Sequence, residues 1–318
     1  MNTIKPHKQG SVLIVDEMHP SIIPMLEGIG LVPDYQPKIK RQEIIETLGK
    51  YEGMIIRSKT LVDEELLQNG TALKFIGRAG AGLDLIDEEL ASEKGIVVFA
   101  ANEGNRVAVA EHVIGMLLVL LNNLLIADKQ VRDGRWLRED NRGYELFGKT
   151  VGIIGYGNNG SETARRFAAF GCKVLVYDKF KTGFSDPYVK EATIEEIFAE
   201  ADVLSLHVPL TTDTLKLVDE NFLNSFTKNI YLINAARGEI VSLDAVLAGL
   251  KSGKLKGACL DVLENEKLHQ LAEDHKGTFG QLIKSDKIIF TPHIAGWTHE
   301  SYVRINEVLV QKIKELID

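Results

Sequence analysis

Cysteine is nearly absent: Cys172 and Cys259 are the only two in 318 residues, and neither sits in a CxxC or other metal-ligand spacing. That excludes a disulfide framework and a cysteine zinc site, and two thiols flanked by apolar sequence read as buried in a reducing cytosol. Positive charge is also in deficit. Against 45 Asp and Glu stand 37 Lys and Arg, a formal net charge of −8, and no basic cluster offers the concentrated charge that nucleic-acid phosphates require. Long hydrophobic runs are missing: the most apolar stretch, residues 113–126 (VIGMLLVLLNNLLI), carries Asn122 and Asn123 inside it and falls short of the roughly 20 apolar residues of a membrane span. It reads as a core or subunit-interface helix. The opening MNTIKPHKQG lacks the apolar centre of a signal peptide and reads as a short disordered lead. These absences describe a cytoplasmic globular protein with no metal, no membrane and no nucleic-acid partner.

What is present is an alternation of strand and helix signals, and at this length two domains are the default. Apolar strands at 12–15, 53–56, 75–76 and 96–100 alternate with helical patterns at 19–30, 42–51, 63–69 and 87–94, a small parallel α/β unit. A long helical stretch, 107–135, leads into a second set of six strands, at 150–154, 173–177, 203–206, 231–233, 258–260 and 288–290. Between them lie helical segments such as 161–170, 193–201 and 243–252, the last closed by Gly253 as a C-cap. Residues 273–280, EDHKGTFG, read as a mobile loop. The amphipathic segment 300–317 is too isolated to form a layer alone and is expected to return to the first domain. The expected division is therefore 1–105 with 297–318 as a discontinuous substrate-binding domain, and 106–296 as a nucleotide-binding domain.

The most informative motif is TVGIIGYGNNG at 150–160, a buried-strand run closed by Gly155, Gly157 and Gly160 in GxGxxG spacing. The first glycine permits the tight turn, the second lets backbone approach a pyrophosphate, and the third lets helix pack closely on strand. The helix that follows aims its first amides at phosphate. A second apolar run, 173–177, ends in Asp178, about 20 residues on, where a ribose 2′-hydroxyl needs an acceptor. An acid there accepts from a hydroxyl and repels a 2′-phosphate, so the expected cofactor is NAD rather than NADP, with Lys179 and Lys181 as a mild counterweight.

In an open parallel sheet, ligands bind beyond the carboxyl ends of the strands, and three polar residues fall there. Arg237 follows the strand at 231–233, Glu266 the strand at 258–260, and His293 the strand at 288–290. A guanidinium grips a carboxylate with two parallel bonds, which suits an α-keto or α-hydroxy acid. A histidine near neutrality gives or takes the hydroxyl proton, and a carboxylate beside it orients the ring and favours the imidazolium. Singly, each has a bland reading as a surface ion-pair partner or loop residue; three at neighbouring strand ends around one cofactor turn point to hydride transfer at a 2-hydroxy acid carbon.

GYGNNG, Asp178, HVPLT at 207–211, NAARGEIV at 234–241, the run from Asp261 to Glu266 and TPHIAG at 291–296 together resemble the D-2-hydroxyacid dehydrogenase family over nearly the whole chain. Within it, IIRSKT at 55–60, GRAGAGLD at 77–84 and EGNRVAVAEH at 103–112 are most similar to the phosphoglycerate dehydrogenase branch. The resemblance implies two doubly wound parallel-sheet α/β domains, a Rossmann NAD-binding domain and a smaller flavodoxin-like substrate domain. It implies that Arg237 clamps substrate, Glu266 is the acid partner and His293 the proton donor. Asn158 and Asn159 would lie at the pyrophosphate turn, Asp178 at the adenosine ribose, Val208, Ala235 and Gly296 along the cofactor, and Asp261 near the nicotinamide amide. Arg57, Ser58, Arg78, Gly80, Ala81 and Asn105 would meet the substrate, Gly80 and Ala81 through backbone amides.

The implied reaction is NAD-dependent oxidation of 3-phospho-D-glycerate, in serine biosynthesis, by a homodimer whose second subunit packs on part of the helix at 107–126. Cationic residues in the first domain's loops, Arg57, Lys59 and Arg78, favour a second anionic end on the substrate, because one carboxylate needs only one clamp. The alternatives are an NADH-dependent reductase of another 2-keto acid such as glyoxylate or hydroxypyruvate, and an NADH-sensing corepressor, which would need partner-binding tails. Departures from the family pattern are Asn159, Leu85, Lys267, Trp297 and a longer loop before His293. Trp297 and that loop bear on substrate identity more than on reaction type.

Overall fold

A computed structural model describes residues 10–268 and 273–318; the expected N-terminal lead, apart from Gly10, and positions 269–272 of the loop before His293 lie outside the described residues. The chain divides into two compact units, Met1–Asn105 with Trp297–Asp318, and Arg106–Gly296.

In the first unit, β1 (Ser11–Ile14), α1 (Ile22–Glu27), β2 (Val32–Tyr35), α2 (Arg41–Thr47), β3 (Gly53–Ile56), α3 (Glu64–Asn69), β4 (Phe75–Arg78), α4 (Glu88–Glu93) and β5 (Val97–Ala100) alternate. The five strands are all parallel in the order β2-β1-β3-β4-β5, the flavodoxin-like arrangement. Alternation along β1 supplies both faces. Val12 and Ile14 pack with Ile22, Leu26 and, from the C-terminal segment, Ile305, Leu309 and Ile313; Leu13 packs with Ile44, Leu66 and Ala91 on the other side. Sequence patterning misses β2 because it reads VPDY: proline removes a ladder donor and is tolerated only at an edge, where β2 lies.

The second unit begins with α5 (Arg106–Leu121) and α6 (Leu124–Arg132). The expected single helix over 107–135 is broken at Asn122 and Asn123, where Asn123 takes φ 52° and the axes bend by 59°. Among the described residues no single helix is long and apolar enough to cross a membrane. Then follow β6 (Thr150–Ile154), α7 (Asn158–Ala169), β7 (Lys173–Tyr177), β8 (Lys190–Glu191), α8 (Ile194–Glu200), β9 (Val203–Leu206), α9 (Glu220–Asn224), β10 (Ile230–Asn234), α10 (Leu243–Ser252), β11 (Leu255–Leu260), α11 (Glu273–Leu282) and β12 (Ile288–Phe290). The chain ends in α12 (His299–Ile317), which belongs to the first unit.

The second sheet is fully parallel in the order β12-β11-β10-β9-β6-β7-β8, the Rossmann winding with one further strand, and strand order reverses between β6 and β9. It has seven strands where periodicity gives six, the short edge strand β8 being too polar to register. The expected loop at 273–280 is instead part of α11, tied to α10 by a 2.5 Å hydrogen bond from the Thr278 hydroxyl to Asp244. Both cysteines are buried, which pushes the Cys172 thiol up to about 11 and the Cys259 thiol up as well; neither is a thiolate at neutral pH.

Candidate active site

Hydrophobic burial of β6 delivers the glycine turn to the switch point. Gly155 adopts φ +97°, and a side chain there would reach within 2.7 Å of the His207 carbonyl. At Gly160 a Cβ would stand 1.9 Å from the Gly155 carbonyl oxygen, so α7 can pack this close only as glycine. Gly157, the N-cap of α7, faces open space. A closed turn beneath and a clear approach to the first amides of a 12-residue helix is the cradle a pyrophosphate fits. Asn158 and Asn159 are the first two residues of α7, three positions earlier than the expected helix start. The Asn159 Oδ1 is buried without a hydrogen-bond partner among the described residues.

Asp178, at the end of β7, closes the turn from the side. Its Oδ2 accepts from the Tyr156 amide at 2.6 Å, and its Oδ1 from the amides of Phe180 and Lys181 at 2.9 and 3.0 Å. Burial pushes this carboxyl up, but the three amides outweigh it and hold the group below the usual carboxylate range. Lys179 is paired with Asp213 at 2.6 Å, and the Lys181 ammonium donates to the Tyr156 carbonyl at 2.9 Å. Neither lysine is an uncommitted counterweight at the ribose site. Val208 and Ala235 lie just past the ends of β9 and β10 and are partly buried.

The next strands carry the candidate reactive groups. Fully buried Asn234 folds the turn after β10, its Nδ2 donating to the Arg237 carbonyl at 2.9 Å and its Oδ1 accepting from the Ala236 amide at 3.1 Å. Arg237 is thereby held at the strand end, with Nη1 donating to the Ala236 carbonyl at 2.7 Å. Beyond β11 and β12, Glu266 and His293 meet: the Nδ1 of His293 lies 2.8 Å from Oε1 and 3.1 Å from Oε2 of Glu266. That contact leaves Nε2 for a substrate proton. A cavity of about 380 Å³ opens beside the pair, and the long segment before His293 supplies part of its apolar wall through Phe279 of α11 and Ile283 just after it.

Asp261, expected near the nicotinamide amide, also holds the turn after β12 together. The Thr291 hydroxyl donates to Oδ1 at 2.5 Å, the Ile294 amide to Oδ1 at 2.9 Å and the Ala295 amide to Oδ2 at 2.9 Å. The Asp261 carbonyl accepts from the His293 amide at 2.7 Å. With 1% of its surface exposed, this carboxylate is the pin around which residues 291–295 wrap. The wrap places His293 at φ 55°, a left-handed conformation that a residue with a side chain adopts only when its surroundings enforce it. His112, on α5, completes the cluster, its Nε2 3.0 Å from the Thr291 hydroxyl and 3.5 Å from Asp261. Sequence reading left His112 without a role, since nothing in its spacing links it to a residue 149 positions away.

In the first unit, the amides of Arg57 and Ser58 donate to buried Asp16 at 2.5 and 3.2 Å. Lys59 does not serve as a free cation: its ammonium donates to the carbonyls of Val15, Pro37 and Ile39 at 2.6, 2.9 and 3.2 Å, a structural tie between loops. The Arg78 side chain folds over Gly80, where a Cβ would stand 1.5 Å from Nη1. Gly80, with φ +152°, and the partly buried Ala81 form the loop after β4. Asn105, last residue before α5, has a buried Oδ1 with no hydrogen-bond partner among the described residues. No group of three or more metal-ligating side chains occurs among the described residues.

Residues 114–295 match the model of the D-isomer specific 2-hydroxyacid dehydrogenase NAD-binding domain, and the chain is 35% identical over 279 residues to a hydroxypyruvate reductase of Thermotoga maritima, covering 87% of this chain and 89% of that protein. The chain belongs to the D-isomer specific 2-hydroxyacid dehydrogenase family. Its second unit is the family's NAD-binding domain. A D-3-phosphoglycerate dehydrogenase of Archaeoglobus fulgidus is 36% identical over 304 residues, 95% of this chain but 56% of that protein; the chain thus spans about half the length of the phosphoglycerate dehydrogenases it matches. The solved D-lactate dehydrogenase of Aquifex aeolicus, complexed with NAD and lactic acid, superposes with a TM-score of 0.81 at 30% identity, covering 96% of this chain and 95% of that one.

Proposed function

We propose that this chain is an NAD-dependent D-2-hydroxyacid dehydrogenase whose substrate is 3-phospho-D-glycerate, oxidised to 3-phosphohydroxypyruvate in the opening step of serine biosynthesis. The observation that carries the reaction class is the His293–Glu266 pair, at 2.8 Å, on strand ends adjoining the Arg237 turn. Arg237 binds the substrate carboxylate through its guanidinium. Nε2 of His293 takes the proton of the 2-hydroxyl during oxidation and returns it during reduction, while Glu266 holds Nδ1 and fixes the ring's orientation. NAD, when bound, supplies the nicotinamide that accepts the hydride. Arg57 and Arg78 are assigned to the substrate's phosphate, and Gly80, Ala81, Ser58 and Asn105 to its remaining polar contacts.

The phosphoglycerate dehydrogenase relatives at 36% and 32% identity support the phosphorylated substrate. The Thermotoga hydroxypyruvate reductase, covered along 89% of its length, supports the second reading, a reductase of an unphosphorylated 2-keto acid. A panel of 2-keto acids, phosphorylated and not, followed by loss of NADH absorbance, separates the two. A kcat/KM higher for hydroxypyruvate than for 3-phosphohydroxypyruvate refutes the first.

We also propose a cytosolic homodimer. The surface expected to meet the second subunit is part of the helix over 107–126, in which Val113, Ile114 and Leu117 belong to their own unit's core with Phe167 of α7 while Leu124 and Leu125 are exposed. Further along the same stretch, Val131, Trp136, Tyr144 and Phe147 are exposed as well. Exposed apolar side chains are what a subunit interface buries, and the dimer contact is assigned to this stretch.

A further inference from the structure

Trp297 stands outside the family pattern, and its surroundings give it a task. It directly precedes α12, and the capping box beside it, with Thr298 and Ser301 exchanging amide-to-hydroxyl bonds of 3.0 Å each way, fixes where the indole starts. The guanidinium of Arg57 lies over the indole face with Cζ 3.6 Å from the ring centroid. Tyr302, one turn along, backs the arrangement: its ring is 5.2 Å from Trp297 and 5.5 Å from the Arg57 Cζ, and its hydroxyl donates to the Glu17 carbonyl at 3.0 Å. Arg57 Nη1 makes only a long 3.4 Å contact to that same carbonyl. Among the described residues no carboxylate comes within ion-pair distance of the Arg57 guanidinium, although many other arginines of the chain have such a partner.

We propose that Trp297 is a positioning residue that holds Arg57 flat and carboxylate-free, ready for the phosphate dianion of the substrate. Stacking occupies one face of a guanidinium and leaves its in-plane N–H groups available, and those are the groups that bind a phosphate with two parallel bonds. An aromatic partner also attracts the cation without neutralising it, which an aspartate or glutamate in the same place would do. A small residue at 297, the usual family choice, would leave this arginine to sample many rotamers, each of which must be given up when the phosphate arrives. The inference rests on the assignment of Arg57 to the phosphate.

The test is steady-state kinetics of the 318-residue chain with 3-phosphohydroxypyruvate and with unphosphorylated hydroxypyruvate, and inorganic phosphate as a competing anion. Trp297→Ala is expected to raise KM for the phosphorylated substrate and Ki for phosphate by about 3- to 10-fold, the scale of one partly exposed cation–π contact. kcat and the KM for hydroxypyruvate stay within 2-fold, as order-of-magnitude tolerances. Trp297→Phe is expected to restore most of the effect, and Trp297→Ala combined with Arg57→Ala to be no worse than Arg57→Ala alone, because the indole acts through the guanidinium. Equal losses on both substrates, additive losses in the double variant, or a lowered KM in Trp297→Ala, which would mean that the indole sequesters the arginine, overturn the proposal. If Arg57→Ala is selective for the phosphorylated substrate while Trp297→Ala is silent, only this inference fails. If Arg57→Ala is itself unselective, the phosphate assignment fails with it.

Discussion

Replacing Asp261 by Asn removes one charge and changes almost no volume, so its consequences follow from that charge and its hydrogen bonds. The carboxylate accepts from the Thr291 hydroxyl and the Ile294 amide at Oδ1 and from the Ala295 amide at Oδ2. The least costly asparagine keeps its carbonyl at the Oδ1 position, satisfying two donors, and turns its NH₂ toward the Ala295 amide, which is left buried and unpaired. One orphaned buried donor costs about 1–3 kcal/mol, and turning two charge-assisted bonds into neutral ones costs about 1 kcal/mol each. The expected loss is about 3–5 kcal/mol in the cooperative unfolding of the second unit, read by urea titration with and without NAD. Thr291→Val, which deletes one charge-assisted bond, should cost about 1.5–3 kcal/mol.

The functional readout is separable. Asp261 keeps His293 at φ 55°, so loosening the 291–295 turn should lower kcat by about 10-fold or more, within the 10²- to 10⁴-fold worth of the general acid or base itself, with Kd for NAD little changed. The pH dependence has a definite sign. Burial pushes the Asp261 carboxyl up, but bonds from His112, Thr291, Ala295 and Ile294 outweigh burial and leave it below the ordinary carboxylate range. A carboxyl depressed in the folded state contributes stability that is complete above the unfolded value, about 4, and is lost as pH falls below it toward the folded value. The asparagine variant should therefore lose less stability than the parent on acidification below pH about 4. An Asp261→Asn enzyme with parental stability and kcat would refute this reasoning.

His293→Gln should cut kcat by about 10²- to 10⁴-fold; a smaller loss in single-turnover hydride transfer would remove it as the proton carrier. Asp178→Ala should lower the kcat/KM preference for NAD over NADP, and it should also cost stability because three amides lose their acceptor; an unchanged cofactor preference sinks the assignment. Arg57→Ala and Arg78→Ala should each raise KM for 3-phosphoglycerate by about 10-fold or more, a charge-assisted contact being worth about 1.5–3 kcal/mol, and affect hydroxypyruvate much less. His207, hydrogen-bonded to Ser205 at 2.9 Å, is pushed down to about 4 by burial, so it contributes stability above pH about 6.5 that is lost as pH falls toward 4; a His207→Gln chain with the parental acid limb over that range would contradict this. Leu125→Asp or Trp136→Ser should yield a monomer by light scattering at micromolar concentration if α6 and its following segment form the dimer contact.

The parts of this molecule legible in sequence are those where one physical requirement dominates. Gly155 and Gly160 announce themselves because no other residue fits beside the His207 carbonyl and the Gly155 oxygen, and the buried parallel strands because burial on both faces produces uninterrupted apolar runs. Edge elements are less legible: β2 contains Pro33 and β8 is Lys190–Glu191, and neither shows the pattern of a central strand. The helix break at Asn122–Asn123 is visible only once the left-handed Asn123 is known, since a polar pair inside an apolar run has other readings. The site divides the same way. The candidate groups Arg237, Glu266 and His293 stand out in sequence because each follows a strand and carries reactive chemistry; what holds them does not. Asp261 is expected at the cofactor, and only the fold shows that its oxygens also accept from a turn about 30 positions later, while His112 reaches the same cluster from a helix that precedes the sheet. Chemistry-bearing groups are encoded locally, whereas the groups that aim them are encoded by topology. That asymmetry is why the substitution at 297 stood out as a departure but acquired a meaning only when Arg57, 240 positions away in the chain, was found lying on its ring.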